Sequence, residues 1–300
     1  MDTAAGKLGI RLWRLSLSVH PPGAPFIFLS RPSVRFASRT PRLPLHTADM
    51  RTFVIAGALL LTSAFGQPAP RTWRFICDYY NQDLQGHLIN RQRFSALYTR
   101  GLPGDTVRWS DVTMANASGW SDFGPPQKQE FMEGFSYPHA ETAHMTAPEF
   151  FRGFPPAAIQ QRNLLWDTHM IEGFAADLDR LKPGVPWHVP DTSEVPLAGA
   201  GTFRHHDLQL ILTGTSERNG QKCAIIDYLA LFNTIEGKTP GMALVGRSDY
   251  WGQIHVSLAT RQVEYATLYE EVTGQLTLQG QEKPMNISVV REGTFEPLDK

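Results

Sequence analysis

Between Tyr250 and Tyr265 the chain alternates apolar and polar residues, pauses at a short turn, and alternates again. A period of two puts successive side chains on opposite sides of a strand, whereas a helix needs a period near 3.6. The stretch therefore predicts two antiparallel strands with one face in a core and the other in water. The same pattern extends over residues 201–296, so any fold must be organised around a sheet.

Further strands are predicted at 71–80, 88–98 and 107–114, the last with a slip after Trp109. After the helix described below they recur at 203–215, 221–232, 244–258, 262–278 and 285–295. Turn residues separate them: Gly101-Leu102-Pro103-Gly104-Asp105, and the hairpin signal Asn219-Gly220. The segment 262–278 reads as two strands or as one long strand bent at Gly274. Residues 115–156 break the pattern with many Gly and Pro, interleaved with aromatic residues. Such a segment reads as a long connection packed on the domain. One amphipathic helix is predicted at about 157–181. Pro155-Pro156 opens it, Lys182-Pro183-Gly184 closes it, and Trp166, Met170, Phe174, Leu178 and Leu181 form its apolar stripe. A one-sided helix must bury its stripe, and a one-sided sheet supplies the surface. The expected fold is α+β and mainly β: a curved antiparallel meander or half-barrel against one helix. No GxGxxG, no GxxxxGK[ST] and no βα rhythm is present, which disfavours a parallel nucleotide-binding sheet.

The beginning of the chain has a different character. Residues 1–66 take eight of the 28 Lys/Arg and two of the 29 Asp/Glu, leaving 20 basic and 27 acidic residues beyond them. An acidic body argues against nucleic acid as a partner. Residues 50–66 read as a signal peptide: Met50-Arg51, an apolar run from Phe53 to Leu61, then Ala64-Phe65-Gly66 with cleavage before Gln67. The apolar run is shorter than the about 20 residues a membrane-spanning helix needs, so the cleaved chain is not expected to be an integral membrane protein. Residues 1–49 read as a disordered upstream extension from a start codon set too early, with an organelle transit peptide as the alternative. The expected product is one exported β-rich domain, 67–300, periplasmic or secreted. Its layout of export signal, long hairpins and a helix across the concave face resembles exported bacterial β-rich proteins of unknown function and the half-open barrels of lipoprotein carriers.

The candidate sites are sparse. Cys77 and Cys223 are the two cysteines, and in an oxidising compartment they either pair or stay as two buried thiols. In a continuous strand His205 and Asp207 point to one face, enough for half a metal site or an acid–base pair. His169 and Glu172 lie three apart on the helix and read as a solvated pair beside the stripe. His139 and His144 are spaced wrongly for a helical zinc motif. No GxSxG occurs, and serine catalysis finds little support in the sequence. The aromatic connection offers Phe131, Phe135, Tyr137 and Phe150 as the lining of an apolar pocket, against the plainer reading that they cover the sheet. No cofactor is implied.

Three functions follow, in order of preference. The first is an envelope binding module for a hydrophobic small molecule or lipid. The second is a structural or envelope-interaction protein without a ligand. The third is a secreted hydrolase or metalloenzyme using His205 and Asp207 with His169 or Asp105.

Overall fold

The structure is a computed structural model that describes residues 69–155, 158–190, 194–197, 201–239, 241–281 and 283–298. The signal-like segment and everything before it lie outside the described residues.

The first three strands are β1 (Arg71–Gln82), β2 (Leu88–Leu102) and β3 (Thr106–Ser118), followed by two short edge strands, β4 (Gln127–Lys128) and β5 (Ser136–Pro138). Helix α1 (Ile159–Ala176) continues as a 3-10 turn to Arg180. Beyond it come β6 (Trp187–His188), β7 (Val195–Pro196), β8 (Gly201–Arg204), β9 (Asp207–Arg218), β10 (Gln221–Thr239), β11 (Met242–Ser257), β12 (Val263–Leu278) and β13 (Met285–Pro297). They form one open antiparallel sheet, not closed into a barrel, in the order β4-β3-β2-β1-β13-β12-β11-β10-β8-β7. Strands β5, β6 and β9 branch from it. Two meanders, β1–β3 and β10–β13, thus meet through the first and last strands, with Trp73 opposite Pro297 and Gln82 opposite Ser288. No helix among the described residues is long and apolar enough to cross a membrane.

Most strands fall where the alternation places them. The segment expected from 262 to 278 makes one strand, Val263–Leu278. Asn219 and Gly220 both take positive φ, 49° and 70°, as a two-residue hairpin turn between twisted strands requires. The slip after Trp109 is a β-bulge: Asp111 (φ 49°) and Val112 stand against Ala96 alone, which keeps Val107, Trp109 and Val112 all buried. The single strand expected at 203–215 is two, broken at His205-His206. β8 pairs with one half of β10 and β9 with the other.

On the inner face lie Trp73, Phe75, Tyr79, Phe94, Tyr98, Phe295, Leu268, Ile254, Ile226 and Tyr228, all buried. Tyr228 crosses its register partner Gly252 to donate its hydroxyl to the Thr267 carbonyl at 2.8 Å. A Cβ at Gly252 would overlap both groups, so glycine is required there.

The helix departs from expectation in phase. Leu164, Leu165, Thr168, Ile171, Phe174 and Ala175 are buried, while Trp166 and Met170 are only partly so. The reason is that α1 is enclosed on more than one side. Phe174 packs on Tyr228 of the sheet at 5.3 Å, while Gln161 bonds Gln129 and Arg162 covers the Phe151 ring in the aromatic connection.

What ties α1 to the sheet is ionic. Arg291 of β13 donates through Nη1 and Nη2 to Asp167 of α1 at 2.9 and 3.2 Å, and through Nε to its strand neighbour Glu270. Ser248 donates to Glu270 at 2.6 Å, and the Tyr79 hydroxyl lies 3.3 Å from Nη1. All of these groups are buried. Two carboxyls share one guanidinium, and burial pushes Asp167 up to about 6 against the opposing pull of Arg291.

Removing Arg291 leaves two buried carboxyls without a cation. Arg291→Ala is expected to cost about 3–5 kcal/mol in urea unfolding at pH 7. A loss below about 1 kcal/mol would show that the clasp is not needed. Asp167 has its own signature. Its folded pKa is raised above the ordinary 3.8, so its contribution to stability is full below pH 3.8 and lost as pH rises through about 6. Asp167→Asn should therefore gain on the natural protein by about 2 kcal/mol between pH 4 and pH 7.5. A constant difference across that range would rule out the shifted carboxyl.

Candidate functional site

The site lies where three elements end together. The β2–β3 turn is tight because Gly101 and Gly104 take positive φ, 79° and 74°. The β11–β12 turn is fixed by the Ser257 hydroxyl, which accepts the backbone N–H groups of Ala259 and Thr260 at 3.3 and 3.1 Å. The last turn of α1 brings Glu172 and Ala175 between them. The space enclosed is about 270 Å³.

One wall is apolar. Trp73 and Phe295 stack nearly parallel, 5.8 Å apart, with Val263 and Ala175 beside them. Trp73 is held by its indole N–H, which donates to the Val263 carbonyl at 2.9 Å. The other wall is charged. Glu172 accepts from the Tyr98 hydroxyl at 2.9 Å and from Arg100 Nη1 at 3.1 Å, and pairs with His139 Nε2 at 3.2 Å. Burial alone would raise the Glu172 carboxyl. The hydrogen bond from His139, the charges of Arg100 and His139, and the hydrogen bond from Tyr98 outweigh it and hold the carboxyl below its ordinary value. At neutral pH the wall is therefore a fixed anion clamped by a cation. Arg261, Gln262 and Asp105 edge the mouth, with Arg261 paired to Asp179. The arrangement can hold a small molecule with an apolar body and a polar end. It places no nucleophile beside a free base, because His139 has its second nitrogen turned to Arg100, 3.4 Å away.

No family model matches this chain, and no curated protein matches it. A solved structure described by the lipid–protein interactions of lipovitellin overlays with a TM-score of 0.36 and 13% identity. The overlay covers 77% of this chain and 25% of that one, so the chain spans about a quarter of that protein's length. So loose an overlay carries no argument about function.

Of the residues singled out in the sequence, Glu172 and Asp105 line this cavity and His139 bonds Glu172; the others lie elsewhere. His205 and Asp207 are not brought together, because the strand breaks between them. His205 packs against Tyr250, 3.1 Å from its hydroxyl, and burial pushes it down to about 4. Asp207 bonds His188 at 2.7 Å and Gln209. His169 is half-buried on α1 and held below its ordinary value by burial. The expected solvated pair of His169 and Glu172 gives way to Glu172 inside the cavity wall. Among the described residues no three His, Cys, Asp or Glu side chains are placed to hold a metal. Cys77 and Cys223 are buried free thiols, not a disulfide. They lie on β1 and β10, with β13, β12 and β11 between them in the sheet. At about 4.8 Å per strand that separation exceeds what a disulfide spans.

Phe131, Phe135, Tyr137 and Phe150 do not line the cavity. They pack on one another and on Phe154, with ring centroids 5.0–6.0 Å apart. The charged wall is Arg100 and Glu172, and with Tyr98 and His139, which bond Glu172, its residues are spread over 74 positions. Of these, only His139 and Glu172 drew notice in the sequence, each in another role.

Glu172→Gln keeps the shape and removes the charge. It should cost roughly 1–3 kcal/mol at pH 7. Because the folded carboxyl is depressed, the difference should fade as pH falls through the carboxylate range. Urea midpoints at pH 7 and pH 3.5 check this; an undiminished difference at the lower pH would mean the Glu172 charge is not what matters.

Proposed function

We propose that this chain is an exported cell-envelope protein that binds a small hydrophobic or lipid-like ligand in the cavity at the end of α1. The observation that carries the binding reading is the cavity itself: stacked Trp73 and Phe295 with Val263 and Ala175 on one side, and the Arg100–Glu172 pair on the other. Ligand sites combine an apolar surface with a few fixed polar groups in this way. The volume suits a small molecule or one end of a longer amphiphile. Export rests on the signal-like pattern at residues 50–66. A mature chain that retains residues before Met50, shown by N-terminal sequencing, would remove that part of the reading.

A second reading has its own observation. Leu84, Ile89 and Trp120 are 56%, 57% and 76% exposed near the β1–β2 turn, and Tyr80 lies beside Trp120. Exposed apolar groups gathered in this way suit contact with another envelope component.

The test separates the two. A brominated medium-chain fatty acid should quench part of the tryptophan fluorescence, and native mass spectrometry should show one bound molecule. Ala175→Trp fills the cavity and should weaken binding at least tenfold. Binding unchanged in Ala175→Trp would place the ligand elsewhere, and no binding at all would favour the second reading.

A further inference from the structure

On the sheet face away from α1, four polar side chains from three strands form an unbroken chain. Ile254 and Val256 point into the core, so Gln253 and His255 of β11 point the other way. Gln253 Nε2 lies 2.8 Å from Asp227 Oδ1 of β10. Gln253 Oε1 lies 2.8 Å from His255 Nε2. His255 Nδ1 lies 2.7 Å from the Ser216 hydroxyl of β9.

Chemistry fixes the direction of every bond. A carboxylate only accepts, so the Gln253 amide nitrogen faces Asp227 and its oxygen faces His255. A carbonyl oxygen also only accepts, so His255 carries its proton on Nε2. Nδ1 then holds a lone pair, and Ser216 donates to it. An acceptor-only group at one end of the chain thus sets a general base against a hydroxyl at the other. His255 itself is buried, whereas Ser216 is half-buried. Arg218 follows Ser216 by two residues on the same face, its guanidinium 4.4 Å from the centroid of the Tyr265 ring. The groups facing His255 are Ser216 and Arg218 from β9, Asp227 from β10 and Tyr265 from β12.

We propose that Ser216 is a nucleophile toward small carboxylic esters, with His255 as its general base, Arg218 as the cation facing the oxyanion, and Gln253 and Asp227 as positioning residues. Ser216 Oγ bonds to the acyl carbon while its proton passes to His255 Nδ1. The carbonyl electron pair moves onto oxygen, which Arg218 faces. Collapse breaks the carbon–oxygen bond to the alcohol, which leaves with the proton from His255. Water then repeats the sequence on the acyl-serine and releases the acid. Gln253 is neutral, so the imidazolium gains less than it would beside a carboxylate. A probe that needs only one attack is therefore the sensitive readout.

The experiment treats the full chain with an alkyl fluorophosphonate, which loses fluoride when a serine oxygen bonds to phosphorus. Intact mass and peptide mapping should find one phosphonyl group, on Ser216. Ser216→Ala should abolish it, His255→Gln should slow it at least tenfold, and Ser121→Ala on the exposed connection should change nothing. The labelling rate should rise with pH and level off by about pH 7, because burial and Arg218 hold His255 below its ordinary 6.5. Asp227→Asn frees Gln253 to turn over, so it should both slow labelling and move the pH profile. No adduct on Ser216 in the natural protein, or an equal rate in His255→Gln, would overturn the proposal without reference to how any variant folds. A pH profile unmoved by Asp227→Asn would remove Asp227 and Gln253 from it.

Discussion

Arg291 joins two strands of the sheet to the helix. It lies on the last strand, bonds the neighbouring strand through Glu270, and reaches the helix through Asp167. A helix lying on a sheet can slide along it at little cost when only apolar contacts are involved, because such contacts have no direction. Two N–H groups aimed at one carboxyl do have direction. Together with the bonds that Tyr98 and Arg100 make to Glu172, the clasp fixes where α1 stops along the sheet, with Glu172 and Ala175 at the two end turns. The cavity wall depends on that placement. A buried ion pair is weak evidence of net stability; its value here lies in fixing one arrangement among several that the apolar surfaces alone would allow.

Local features of the fold could be read from the sequence because each is decided within a few residues. Alternation located most of the strands, Asn219-Gly220 marked a turn, and the slip after Trp109 announced the bulge at Asp111. The misreadings share a physical origin. The break at His205-His206 was hidden because both flanking segments alternate well; it arises from how β10 is divided between β8 and β9. The helix stripe was assigned from one apolar face, whereas the aromatic connection packs on a second. The site was hardly legible. Arg291 and Asp167 are 124 positions apart, and Arg100 and Glu172 are 72 apart. Nothing in either neighbourhood says which partner it will meet, since strand order in the sheet decides that.

The aromatic connection shows where a natural expectation led elsewhere. So many rings beside an open sheet invite the idea of a pocket between them. The rings instead satisfy one another edge-on, and Phe151 and Phe154 are buried against the helix side of the core. A cavity lies instead at the C-terminal end of α1, where turns meet and side chains change from apolar to charged. Trp251, which could have filled a cavity under the helix, lies on the other face, stacked on Tyr269 and 40% exposed.

The meeting of β1 with β13 has a consequence for assembly in time. Each meander can zip up from its own hairpins, because those contacts are local. The seam between them joins Trp73 to Pro297 and cannot form until nearly the whole chain is present. A chain made or translocated from its N-terminus would thus hold β1 as an unpaired edge through most of its synthesis, with Trp73, Phe75 and Tyr79 uncovered. Closing that seam is the step with the largest loop entropy and the highest contact order, and it should set the folding rate. Until it closes, β1 is the part of the molecule most in need of a chaperone's protection.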